Sequence, residues 1–238
     1  MFGFETNKSK CKVLTHPWNR THANKVFKLT GLDVINDGAV ILGSPIGIPQ
    51  FEESFVNTKT QKWEDMIERL RQVAESDVQL AYSALTHSMQ FKWTHLLRTV
   101  DINASLLKPL RQQIFQKLIP SIIGTKIISK EAEHISSLPL RKGCLGVVDP
   151  YHIAGTEYAN SYAMCTPLID FNQASDLTIT QDAIRKGIGA AREQMYEEEL
   201  RELHDQTNGK WKHLLQYASG RGASSWLSGN RLKALDVV

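Results

Sequence analysis

The residues able to do chemistry in this chain are its eight histidines, its three cysteines, a glycine-rich stretch and a few serines, and each set implies a different reaction. A bound metal needs His, Cys, Asp or Glu at ligand spacing. His87 and His95 are eight apart in sequence and His16 and His22 six apart, neither a ligand spacing, and no H-E-x-x-H occurs, so the histidines point to no metal centre. Cys11, Cys144 and Cys165 are odd in number, widely separated and free of any C-x-x-C. Neither a disulfide framework nor a zinc ribbon fits them, and reduced thiols are expected. The serines of "GASSWLSG" lack the G-x-S-x-G elbow of a serine hydrolase. The stretch "DGAVILGSPIGIPQFEESF", Asp37 to Phe55, has the glycines of a phosphate cradle but not its other parts. No lysine follows Gly43-Ser44-Pro45-Ile46-Gly47, and Pro45 and Pro49 remove two N–H groups that an anion nest would use. A turn feeding a helix is the better reading. What remains is the cluster Lys92-Trp93-Arg98, where cations and an aromatic ring together suit a nucleic-acid backbone. Trp63, Trp93 and Trp226 are otherwise expected to anchor helices.

Charge supports that choice by its distribution more than by its total, which is only +3. Up to residue 29, Lys8, Lys10, Lys12, Arg20, Lys25 and Lys28 face Glu5 alone. Between Leu85 and Cys144, nine cations (Lys92, Arg98, Lys108, Arg111, Lys117, Lys126, Lys130, Arg141 and Lys142) face Asp101, Glu131 and Glu133. An acidic helix, Glu52 to Asp77, lies between the two basic segments. The 42% hydrophobic content is enough for an ordered core. No apolar run approaches the ~20 residues a membrane span needs. The polar, basic start "MFGFETNKSKCK" lacks an apolar signal region, so an intracellular protein, cytoplasmic or nuclear, is expected.

The elements that must position these groups can be read from pattern. A short strand at Lys12 to Thr15 precedes a helix opening at Pro17, in the favoured first position. "GLDVI", Gly31 to Ile35, and "AVILG", Ala39 to Gly43, are β-branched runs across Asn36-Asp37-Gly38, which predicts a hairpin turning there. From Phe51 to Ala74 an apolar stripe marks a long helix that ends near Ser76-Asp77, and those residues can cap the next. Val78, Ala81, Tyr82, Leu85 and Met89, then Phe91, Trp93, Leu96, Leu97 and Val100, continue in helical spacing. Asn103 can cap a helix over Leu106 to Ile119, with Pro109 near its first turn. "SLPLRKGCLGVVDP", Ser137 to Pro150, predicts a loop with at most a short extended piece. A helix from Tyr151 to Cys165 follows, then a charged, exposed helix from Thr178 to His213, interrupted at Asn208-Gly209.

Taken in order, several stretches resemble the C-terminal part of reverse transcriptases encoded by retrotransposons. "GFETNKSKCKVL" resembles the family's palm motif G-x-x-x-N-x-x-K-C, matching at Gly3, Asn7, Lys10 and Cys11. "VILGSPIG" resembles its primer-grip hairpin, with Leu42-Gly43 followed by small residues and Gly47. "FKWTHLLRTVDI" and "LKPLRQQIFQKLIPSIIG" resemble its thumb helices, and "LPLRKGCLGVVDP", "IAGTEYANS" and "GASSWL" resemble later blocks. Two positions drift: a double glycine in the family is Gly143-Cys144 here, and the tyrosine after Trp-Thr is His95.

The resemblance implies a mostly α protein: an α+β palm remnant with a β-hairpin over 1–48, a helical thumb over 49–136 and a C-terminal helical extension over 137–238. It implies nucleic-acid contacts at Lys10, Leu42, Gly43, Ser44, Lys92, Trp93 and Arg98, with Lys10 near the incoming triphosphate in a complete enzyme. Gly43 and Gly47 would let a sugar–phosphate backbone come close. Catalysis would need carboxylates holding two Mg²⁺ ions, from an upstream aspartate and a Tyr-x-Asp-Asp turn, and this chain has no Asp-Asp pair. The expectation is a truncated fragment with no catalytic or metal-binding residues and no cofactor of its own. Its partners would be a weakly held primer–template and a polypeptide supplying the missing fingers and palm. The alternative is a helical protein-interaction module without a nucleic-acid role.

Overall fold

The computed structural model describes residues 11–126, 128–142, 144–169 and 177–206. It is mostly helical with a small β component, as the pattern predicts. The chain forms two compact units, Met1–Lys59 and Thr60–Val238, dividing inside a helix.

In the first unit, β1 (Lys12–Leu14) leads through a 3₁₀ turn, with Pro17 at its start, into α1 (Arg20–Phe27). Gly31 at φ 71° ends a second 3₁₀ turn and returns the chain to β2 (Asp33–Ile35). β2 pairs with β1 in parallel, Val13 opposite Val34, which a helical crossover permits and a tight turn does not. The hairpin lies one step further on: β3 (Gly38–Ile41) pairs antiparallel with β4 (Ser44–Gly47) around Leu42-Gly43. The predicted turn at Asn36-Asp37-Gly38 is therefore corrected, since this tripeptide joins the two sheets. The physical reason lies in the glycines. Gly38 pairs with Gly47, and a Cβ on Gly47 would sit 2.3 Å from the Asp37 carbonyl oxygen. A Cβ on Gly38 would sit 2.2 Å from the Phe51 ring. Only two glycines let the base of this hairpin close, and with that register set, the two residues left at the tip must turn.

α2 (Pro49–Ala74) follows, with Glu52 in its first turn accepting from the Gly47 N–H at 3.3 Å. The Asp77 carboxylate then caps α3 (Val78–Ala84), accepting from the Leu80 N–H at 2.9 Å. In the second unit α3 runs through a π turn, Leu85–Met89, into α4 (Gln90–Thr99). A second π turn, Ile114–Leu118, joins α5 (Lys108–Gln113) to α6 (Ile119–Ile123). Both follow from the spacing of buried residues. Leu85, Met89, Trp93 and Leu97 recur in steps of four, as do Leu110, Ile114, Leu118 and Ile122. A 3.6-residue helix would carry such a stripe off the core face, and one wider turn brings it back.

α7 (Lys130–Ser137), which the sequence pattern does not mark, is capped by the Ser129 hydroxyl accepting from the Ala132 N–H at 3.2 Å. The described residues from there to Asp149 are irregular apart from a 3₁₀ turn at Leu140–Lys142, as predicted. It is fixed by side chains. The buried Tyr82 hydroxyl donates to the Leu145 carbonyl at 2.6 Å, and Gln90 Oε1 accepts from the Val148 N–H at 3.2 Å. α8 (Pro150–Ile169) packs on α4, and α9 (Leu177–Gln206) packs on α8. None of the three cysteines is in a disulfide, and burial pushes the Cys144 thiol up to about 12. The expected interruption at Asn208-Gly209 lies outside the described residues.

Candidate nucleic-acid interface

The site residues expected from the sequence fall into both units, and each group is described in its own. Lys10 lies outside the described residues. Leu42 and Gly43 form the two-residue tip of the β3–β4 hairpin at φ 51° and φ 87°. Two consecutive positive φ values define the turn whose twist suits a hairpin, and they normally call for Asn-Gly or Gly-Gly. Leucine at the first position carries backbone strain of about 1–2 kcal/mol. Its side chain is 92% exposed, so no burial in the chain offsets that strain. Ser44 is buried, and the space beside Gly47 is filled by the chain's own Asp37 and Gly38. The expected close approach of a sugar–phosphate backbone at Gly47 is corrected accordingly. Gly43 is needed for its dihedral angle.

In the second unit the cluster Lys92-Trp93-Arg98 separates. Lys92 is exposed on α4. Trp93 is fully buried, its ring edge-on to Trp63 at 6.3 Å between centroids, so a base cannot stack on it. Its place in the four-residue stripe with Met89 and Leu97 is the reason. Arg98 is half exposed and donates from Nε to Glu157 Oε2 at 2.8 Å. Glu157, buried on α8, also accepts from Arg192 of α9 at 2.6 Å. One carboxylate thus ties three helices together.

The nine cations between Leu85 and Cys144 divide by their partners. Arg111 holds Asp149 at 2.7 Å and Glu133 at 2.9 Å. Arg141 pairs with Glu193, and Lys142 pairs with Glu193 at 2.7 Å and Glu197 at 3.6 Å. With Arg98, four of the nine are neutralised, mostly by carboxylates far along the chain. The other five, Lys92, Lys108, Lys117, Lys126 and Lys130, are exposed and make no ion pair among the described residues. Lys108 lies over the Tyr151 ring at 5.7 Å.

Sequence reading missed the chain of titratable groups beside these. Glu199 of α9 sits between His134 of α7 at 3.5 Å and His152 of α8 at 3.4 Å. Hydrogen bonds from both imidazoles hold its carboxyl down to about 2, and the bond to Glu199 raises His152. Asp149 adds to that rise and Arg111 opposes it. No spacing signal links residues 134, 152 and 199. A cavity of about 390 Å³ adjoins them, walled by Gln90, Arg98, His152, Glu157, Arg192 and Glu199 among others. Among the described residues no His, Cys, Asp or Glu group is arranged to hold a metal ion.

The signs of these shifts set a pH window for the docking of α9. A depressed Glu199 contributes stability above its usual 4.5, and that stability drains away as pH falls toward about 2. A raised His152 contributes below its usual 6.5, and that contribution is lost as pH rises through its folded value. Glu199→Gln is therefore expected to cost about 1–2 kcal/mol near pH 5.5, after discounting for the exposure of His152, and clearly less near pH 8.5. Urea unfolding of both proteins at the two pH values checks this. An equal cost at both would dissociate the histidines from the effect.

No family model matches the chain, and neither a curated protein nor a solved structure matches it.

Proposed function

We propose that this chain is a fragment of a retroelement reverse transcriptase, spanning a palm remnant, primer grip and thumb, which binds primer–template nucleic acid weakly and without sequence preference and polymerises nothing. The observation that carries the reading is the set of five exposed lysines in the Leu85 to Cys144 segment that make no ion pair among the described residues. Long ammonium side chains of this kind neutralise phosphates whatever the base sequence, and they release counterions as they do so. The exposed, strained Leu42-Gly43 tip supports the reading from the other unit, because strain at an exposed position is retained where a ligand uses it. The complete enzyme of that family holds Mg²⁺ on clustered aspartates. The residues here do not fit that role, having neither an Asp-Asp pair nor, among those described, a converging ligand set. No step is therefore assigned to the ion. The partners on this reading are the nucleic acid and a polypeptide completing the palm, in an intracellular compartment. No described helix is long and apolar enough to cross a membrane.

Lys92→Ala/Lys117→Ala is expected to flatten the log–log salt dependence of binding to a fluorescent primer–template by about two units, and to weaken binding severalfold at low salt. Primer extension with Mg²⁺ or Mn²⁺ should not exceed a no-protein control. A flat salt response in the wild type, with equal affinities for both proteins, would refute the interface. Synthesis above background would refute the loss of catalysis.

A second reading, a protein-interaction module, is favoured by one observation in the first unit. Trp18, Leu29, Val40, Ile41, Leu42 and Ile46 are all exposed there. Apolar groups in that number suit a protein partner, although singly they are ordinary.

A further inference from the structure

We propose that α9 is an autoinhibitory element: its carboxylates Glu193 and Glu197 occupy Arg141 and Lys142, cations that a bound polyanion would otherwise take. The inference rests on the nucleic-acid reading and concerns its regulation. Arg141 gives both Nε and Nη2 to Glu193, with Nε at 3.1 Å, and its guanidinium lies 5.5 Å from the centre of the Tyr196 ring on the same helix. Lys142 reaches Glu193 and Glu197, one turn apart on α9. Two cations of the basic segment are thus spent on one face of one helix.

The energetics allow displacement. Arg141, Glu193 and Glu197 are 56%, 37% and 50% exposed, so the Arg141 pair is weak and screened by salt, while Lys142, 20% exposed, shares carboxylates that solvent already reaches. A phosphate backbone offers a row of charges to the same cations, with counterion release as an added drive. What keeps α9 in place is Arg192 on the buried Glu157, Glu199 between His134 and His152, and Leu203, buried against Ile135, Leu138 and Cys144 with Tyr196 and Leu200 packed beside it. These anchors hold the helix near the surface while the Glu193 and Glu197 contacts can exchange. Binding in the resting protein is weakened by the two blocked cations and by the negative charges held next to them.

Binding of a fluorescein-labelled DNA duplex of about 20 base pairs tests this in the full chain. Glu193→Gln/Glu197→Gln should bind about tenfold more tightly than wild type at low salt, with a log–log slope steeper by about two. Glu198→Gln/Glu202→Gln removes the same charge from exposed positions of the same helix that pair with no cation among the described residues, and should gain much less. Adding Arg141→Ala/Lys142→Ala to the first variant should abolish its gain. Glu193→Gln alone, at a partly exposed position, serves if the double variant does not fold. Equal gains in the two Gln pairs, or a gain that survives loss of Arg141 and Lys142, would overturn the masking. So would wild-type affinity in the first variant, and in that case duplex binding by both proteins leaves the nucleic-acid reading intact. Failure of every protein to bind would remove that reading, and the inhibition with it.

Discussion

Replacing Trp93 with alanine is expected to destabilise the protein by about 3–5 kcal/mol, the cost of deleting a large buried aromatic side chain. The indole is 0% exposed and packs edge-on to Trp63 at 66° between ring planes, so its removal leaves a void between α2 and α4. The void cannot be relieved by small movements, because Leu97 below it and Leu85 one stripe position above Met89 are also fully buried. Its Nε1–H has no hydrogen-bond partner among the described residues, and a buried unpaired donor costs about 1–3 kcal/mol by itself. Trp93→Phe should therefore cost much less than the alanine variant, since it keeps most of the ring and removes the orphaned donor. Urea unfolding monitored by circular dichroism gives both values, and the phenylalanine variant keeps the test readable if the alanine variant does not fold. Neither substitution should change duplex affinity of the folded protein. A stable Trp93→Ala variant with weakened binding would return the ring to the interface.

That ring illustrates how much of the molecule could be read in advance. Lys92, Trp93 and Arg98 are near neighbours in sequence, yet successive helical residues point about 100° apart. The signal that Trp93 faces inward was available in its spacing of four from Met89 and Leu97. The same local rules gave the caps at Asp77 and Asn103 and the helix start at Pro17, and placed the start of α8 at Tyr151, one residue late, since each depends on contacts within a few residues. Partners set by the fold were invisible. The pairing of β2 with β1 across α1 depends on a crossover, and the Asn36-Asp37-Gly38 turn signal outweighed it in the sequence. The charge count over Leu85 to Cys144 failed in the same way. Its cations meet Asp149, Glu157, Glu193 and Glu197, all of which lie beyond the window. A basic segment in one dimension became a partly neutral surface in three, and five lysines remain of nine cations.

Arg111 is the member of that segment whose role changes most, and Arg111→Ala is expected to cost about 3 kcal/mol. Its guanidinium is largely enclosed, over the Phe115 ring at 5.2 Å, with Glu133 and Asp149 on its two sides. These carboxylates are only 12% and 11% exposed, so deleting the cation leaves two poorly solvated charges facing each other. Asp149 has a second duty that transmits the damage. Its Oδ1 accepts from the Tyr151 and His152 N–H groups at 3.0 and 3.2 Å, capping α8 just before Pro150. A carboxylate that turns away to find solvent uncaps the helix on which α4 and α9 both pack. Arg111→Lys should recover only part of the loss, because an ammonium cannot serve Nε and Nη2 bonds at once in the fork that spans both acids. Measured by urea unfolding at moderate salt, the order of stability should be wild type, then lysine, then alanine. Duplex affinity per folded molecule should hold constant through the series. A fully stable alanine variant that loses affinity would make Arg111 a phosphate contact and return the charge count over this segment to its value in sequence.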